Sequence, residues 1–96
     1  MDAIGLLREK KEEILRIAVR HGARNVRVFG SVIRGDADEA SDIDLLVSFD
    51  PEASLLQHAA LIRELRDFLG CSVDVVDDDG LRPGMRDRVL NEAAPL

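Results

Sequence analysis

Ninety-six residues suffice for one domain with a single core and a single site, and one domain over residues 1–96 is expected. Thirteen basic against nineteen acidic side chains leave a net charge of −6, which repels a phosphate backbone and argues against direct nucleic-acid binding. Trp and Tyr are absent and Phe occurs three times, too little for the aromatic platforms of single-strand binders, and the one cysteine, Cys71, excludes an internal disulfide and, with no Cys/His cluster, a zinc site.

A composition 46% hydrophobic and 33% charged is that of a globular chain. No apolar run approaches the roughly 20 residues of a spanning helix. The opening MDAIGLLREKKEE lacks a signal-peptide core, so the cytoplasm is the expected location.

Residues 2–20 are predicted to form a helix, with Ile4, Leu7, Ile14, Leu15, Ala18 and Val19 near a 3.6-residue stripe, Asp2 as N-cap and Gly22 as terminator. Val26–Phe29 is predicted as a short strand, followed by a tight turn and brief helix over Gly30–Gly35 and a polar loop, DADEAS, over 36–41. From Asp42 to Phe49 the chain alternates, with Asp42, Asp44, Leu46 and Ser48 on one face and Ile43, Leu45, Val47 and Phe49 on the other. Pro51 ends that strand. A helix is expected over 54–69 with Leu61, Leu65, Phe68 and Leu69 inward, then a strand Val73–Val76, a turn Asp77–Gly80, and a last helix from about Pro83 to Ala93. This order implies an α/β (α+β) domain: a small mixed sheet of three to four strands with helices mainly on one face.

Asp42 and Asp44, two apart on a strand, project from the same face with Cα atoms about 7 Å apart. Two such carboxylates either sit solvated at a strand start or converge on a hard cation, Mg²⁺ or Mn²⁺, that also takes phosphate oxygens. Asp74 lies between valines in Val73-Asp74-Val75-Val76, where burial would be costly unless its face opens on a site. Gly30-Ser31 follow a strand and open a helix, so glycine permits close approach of an anion while free N–H groups and the Ser31 hydroxyl offer donors; an ordinary turn glycine and N-cap serine would look the same. No Gly-Lys-Ser/Thr follows a glycine run, which excludes a P-loop.

Taken together, Gly30-Ser31, Arg34-Gly35, Ser41-Asp42-Ile43-Asp44-Leu45 and Val73-Asp74-Val75 resemble the signature of the polymerase-beta-like nucleotidyltransferase superfamily, and within it the minimal nucleotidyltransferases. The stretch Leu81–Ala93 resembles that family's closing helix. The resemblance implies the nucleotidyltransferase fold, ATP as donor and two-metal catalysis. It makes Asp42, Asp44 and Asp74 the metal-binding and catalytic carboxylates, Asp74 also a candidate general base, and Gly30, Ser31 and Arg34 the nucleotide-binding residues. It further implies an antitoxin that transfers AMP to a hydroxyl, a tyrosine, of a HEPN-type toxin encoded nearby, in a hetero-oligomer. An alternative is an antitoxin that neutralises the toxin by complex formation without turnover, its acidity suiting a basic nuclease; a transferase acting on a small molecule is a third. The chain accounts for the donor half of a transferase, so the acceptor is expected from another protein.

The remaining polar residues have ordinary readings. His21 is expected at a helix end, His58 on the exposed side of its helix, and Asp77–Asp79 in a solvated acidic turn. Arg82 and Arg86 share a helix face, either solvated or able to meet a partner or a phosphate.

Overall fold

The computed structural model describes residues 3–35 and 42–96; the expected N-cap Asp2, the loop 36–41 and the motif residue Ser41 lie outside them. In chain order the elements are α1 (Ala3–Glu9), α2 (Lys11–Arg20), β1 (Ala23–Phe29), α3 (Ser31–Arg34), β2 (Ile43–Phe49), α4 (Leu55–Leu69), β3 (Val73–Asp77), a 3-10 turn (Asp78–Gly80), α5 (Pro83–Glu92) and β4 (Ala94–Pro95). The sheet is mixed, in the order β3-β2-β1-β4, with β1 antiparallel to β2 and β4, and β2 parallel to β3.

The alternation of β2 decides how the layers form. Ile43, Leu45 and Val47 turn to one side and join Val26, Val28, Val73 and Val75 against Leu7, Ile14, Ile17, Ala18, Leu61 and Leu65 of the helices. Each fully buried Val, Leu or Ile among them contributes about 1.5–3 kcal/mol over an exposed one. Helices α1, α2 and α4 thus cover one face, as expected. The other face is not left to solvent, because Leu46 and Val89 are buried outside that cluster. There α5 is tethered at two points: Arg86 donates to the Asp78 carbonyl at 2.9 Å, and Glu92, at its last residue, reaches Gly30 and Arg34.

Three boundaries depart from the sequence reading. The single helix over 2–20 is two, bent at Lys10 (φ −98°, ψ 13°), although Lys10 N–H still bonds Leu6 O and Ile14 N–H bonds Lys10 O. Arg8–Glu13 is an unbroken charged run with no apolar side chain to pin a straight rod to the core. Strand β1 starts at Ala23 rather than Val26, running through an irregularity between Arg24 and Arg27 where Asn25 takes φ 55°. The fourth strand, Ala94–Pro95, pairs with Val28 and Arg27. Elsewhere α4 opens on a capping box: Ser54 accepts from Gln57 N–H, and the Gln57 side chain accepts from Ser54 N–H. Among the described residues no helix is long and apolar enough to cross a membrane.

Candidate functional site

Strand register brings the motif residues together. Asp44 stands opposite Phe29 across the antiparallel ladder and opposite Asp74 across the parallel one, so the two carboxylates rise from neighbouring strands roughly 5 Å apart. Asp42 is exposed just before β2 and Asp74 is exposed on β3, while Asp44 is half-buried between them.

Because Phe29 is the register partner of Asp44, the next residue lands on the Asp44 side chain. Gly30 adopts φ 79°, ψ −153°, which favours glycine. A Cβ there would collide with Asp44 Oδ2 and lie 3.2 Å from its Cγ. Ser31 then starts α3, which Gly35 closes in a left-handed cap. A helix of four residues sums few peptide dipoles, so anion attraction at this turn rests on local N–H groups and Arg34 rather than on a macrodipole.

The site is short of positive charge. Burial, then the charges of Asp74 and Asp42, push the Asp44 carboxyl above its ordinary pKa; Arg34 opposes the rise and Glu92 adds to it. Among the described residues no hydrogen bond answers the Asp44 carboxylate. An all-oxygen donor set whose members repel one another suits a hard cation such as Mg²⁺ or Mn²⁺, and Asp42, Asp44 and Asp74 are the residues that could hold one.

Glu92 escaped the sequence reading. Its Oε2 accepts from Gly30 N–H at 3.2 Å and its Oε1 from Arg34 Nη1 at 2.7 Å. The hydrogen bond from Arg34 outweighs burial and, with that from Gly30, holds the Glu92 carboxyl below its ordinary pKa. The family-like closing stretch contains Glu92, yet its reach across 62 residues to Gly30 leaves no local pattern to read.

A second acidic group lies at the far end of β3. Asp77, Asp78 and Asp79 bring carboxylate oxygens within 4.8 Å of one another, and the turn is solvated only in part: Asp79 is exposed, whereas Asp77 and Asp78 are half-buried. Asp78 accepts from Arg27 at 2.8 Å and from the Ser48 hydroxyl, and Asp77 accepts from Asp79 N–H at 3.0 Å. Burial pushes the Asp78 carboxyl up, but the bonds from Ser48 and Arg27 prevail and hold it below the ordinary range. Arg86 is exposed, as expected for a solvated residue, and one of its nitrogens donates to the Asp78 carbonyl; Arg82 lies at the N-cap of α5 and is exposed. His58 is not on an exposed side: its ring meets Phe49 at 4.8 Å and Nε2 lies 2.7 Å from the Val75 carbonyl. His21 ends α2 as expected and pairs with Glu64 at 2.8 Å.

Comparison with known proteins gives a consistent result. A family model described as the nucleotidyltransferase domain matches residues 7–95. A Methanocaldococcus jannaschii protein, provisionally named a protein adenylyltransferase, is 41% identical over 94% of this chain and 97% of its own length. The protein adenylyltransferase MntA of Thermococcus cleftensis is 44% identical over 76% of this chain and 74% of its own. A solved structure assigned to the minimal nucleotidyltransferases superposes with a TM-score of 0.89 at 51% identity, covering 100% of this chain and 97% of that one. A toxin–antitoxin structure with AMP-PNP shares the fold at 23% identity and a TM-score of 0.74, over 91% of this chain and 69% of that one.

Proposed function

The chain belongs to the nucleotidyltransferase-domain family, and from that premise we propose that it transfers AMP from ATP to a tyrosine hydroxyl of a HEPN-type toxin and so acts as its antitoxin. The observation that carries this reading is the Asp44 carboxyl, set in register with Asp74, pressed against Gly30 and raised in pKa by burial and its acidic neighbours. Protein adenylyltransferases among the relatives support the reaction, and the toxin–antitoxin structure with AMP-PNP, which shares the fold, supports the kind of partner.

In the transfer the tyrosine oxygen attacks the α-phosphorus in line. An oxygen–phosphorus bond forms, the bond to the bridging α–β oxygen breaks, and pyrophosphate leaves. Asp42, Asp44 and Asp74 would hold Mg²⁺ or Mn²⁺, which offsets the charge of the triphosphate and of the displaced oxygens. Gly30 yields space beside Asp44, Ser31 supplies a hydroxyl donor, and Arg34 supplies positive charge for the terminal phosphates. Asp74, exposed on β3, takes the tyrosine proton on a carboxylate oxygen as the attack proceeds.

The second reading is neutralisation by binding alone, favoured by the net charge of −6 against a basic nuclease. The two separate when the purified toxin is incubated with this chain, ATP and Mg²⁺ and then weighed by mass spectrometry. Transfer adds AMP to the toxin tyrosine, and Asp42→Ala with Asp44→Ala abolishes both the added mass and the neutralisation. An unmodified toxin that is nevertheless silenced, by wild type and double variant alike, would establish binding instead.

A further inference from the structure

The Gly30 backbone needs something to hold it. Its φ of 79° and ψ of −153° are set within a turn where only the absence of a Cβ avoids Asp44. A single carboxylate grips the turn at both ends. Glu92 Oε2 takes the Gly30 N–H at 3.2 Å and Oε1 takes Arg34 Nη1 at 2.7 Å, so one side chain spans all of α3. Glu92 is itself fixed, because it ends α5 and Ala94–Pro95 is laced into the sheet beside Val28 and Arg27, with Leu96 N–H bonded to Val26 O at 3.1 Å. Its side chain is 23% exposed against 53% for Arg34, which makes Glu92 the anchored member of the pair.

We propose that Glu92 is a positioning residue for the triphosphate: from the far end of the chain it sets the Gly30-Ser31 turn and aims Arg34. This rests on the nucleotidyl-transfer reading above. Glu92 holds the Gly30 N–H and one Arg34 nitrogen but touches neither the Ser31 N–H nor its hydroxyl among its hydrogen bonds, so it braces the turn and does not itself take the Ser31 donors or the other Arg34 nitrogens from the phosphate. A carboxylate that filled the phosphate's seat would compete with nucleotide, and its removal would tighten binding. A brace has the opposite sign.

Titration calorimetry of the whole chain with AMP-PNP and Mg²⁺ distinguishes these, with thermal melting run in parallel. Glu92→Ala is expected to weaken binding about tenfold, the worth of a hydrogen bond to a charged group, at unchanged stoichiometry. Glu92→Gln, which keeps one carbonyl oxygen for one of the two donors, is expected to fall between, about threefold weaker. A merely structural role would lower the melting temperature and leave Kd unchanged at temperatures where the variant is fully folded. If Glu92→Ala fails to fold, Glu92→Gln decides: unchanged or tighter binding overturns the proposal. A wild-type chain that binds no AMP-PNP overturns the nucleotidyl-transfer reading and this one with it, whereas normal wild-type binding with an unchanged Glu92→Gln overturns this one alone.

Discussion

Two groups of three aspartates lie toward opposite ends of β3, and their difference separates a candidate reactive site from a structural joint. At one end Asp44 faces Asp74 across the ladder with Asp42 nearby, and its pKa is raised. At the other, Asp77–Asp79 are closer packed, yet Arg27 and Ser48 answer Asp78, and its pKa is lowered. The same residue type in similar crowding thus has opposite electrostatics, and the cause is the donors the fold supplies. Density of acid is no guide to a cation site; unanswered acid is.

The sharpest way to break the comparison is to exchange the consequences. Asp42→Ala with Asp44→Ala is expected to cut AMP transfer by on the order of a thousandfold or more, with no loss of thermal stability. Asp79→Asn, at the satisfied end, is expected to leave the rate within about twofold, since surface changes away from a site are nearly neutral. Rates that fell equally would erase the distinction between the two groups.

A smaller effect separates the groups in stability. Asp78→Ala strips the carboxylate from Arg27, whose side chain is 13% exposed in the ion pair and keeps only the neutral Asn25 carbonyl and Ser48 hydroxyl, and is expected to cost about 2 kcal/mol in urea denaturation. AMP transfer, measured where the variant remains folded, should persist. A loss of transfer there with intact stability would place the Asp78 network in the chemistry.

The smallest effect is one of pH and carries opposite signs at the two ends. Asp78, with its folded pKa lowered, contributes stability above the ordinary carboxylate pKa and loses it as pH falls through the lowered value. Asp44, with its folded pKa raised, contributes fully only below the ordinary value and loses that contribution as pH rises through the raised one. Asp44→Asn should therefore raise the melting temperature at pH 7 by on the order of a few degrees without metal, and the gain should vanish in acid. A drop at pH 7 would mean that the Asp44 charge is already answered.

What could be read from the sequence followed the range of the interactions. The alternation of Asp42–Phe49 names both faces of β2, and Ile43, Leu45 and Val47 do enter the core. The family likeness covers Gly30, Ser31, Arg34, Asp42, Asp44 and Asp74, and the fold sets Gly30, Arg34, Asp42 and Asp74 around Asp44. Long-range answers to charge were not legible. Asp78 reads as one more residue in an acidic turn until Arg27, 51 positions away, meets it. Glu92 reads as a helix-end glutamate until β4 brings it beside Gly30. His58 shows why a polar residue on a helix cannot be assigned to solvent by periodicity alone: the neighbouring strand supplies both Phe49 and the Val75 carbonyl.

The most direct measurement is to titrate Mn²⁺ with AMP-PNP into the isotope-labelled chain and follow which backbone amides its paramagnetism broadens. Broadening centred on Gly30, Ser31, Asp44 and Asp74, with Asp77–Asp79 affected later and less, is the expected result. Broadening that begins at Asp77–Asp79, or that is unchanged by Asp42→Ala with Asp44→Ala, would contradict it.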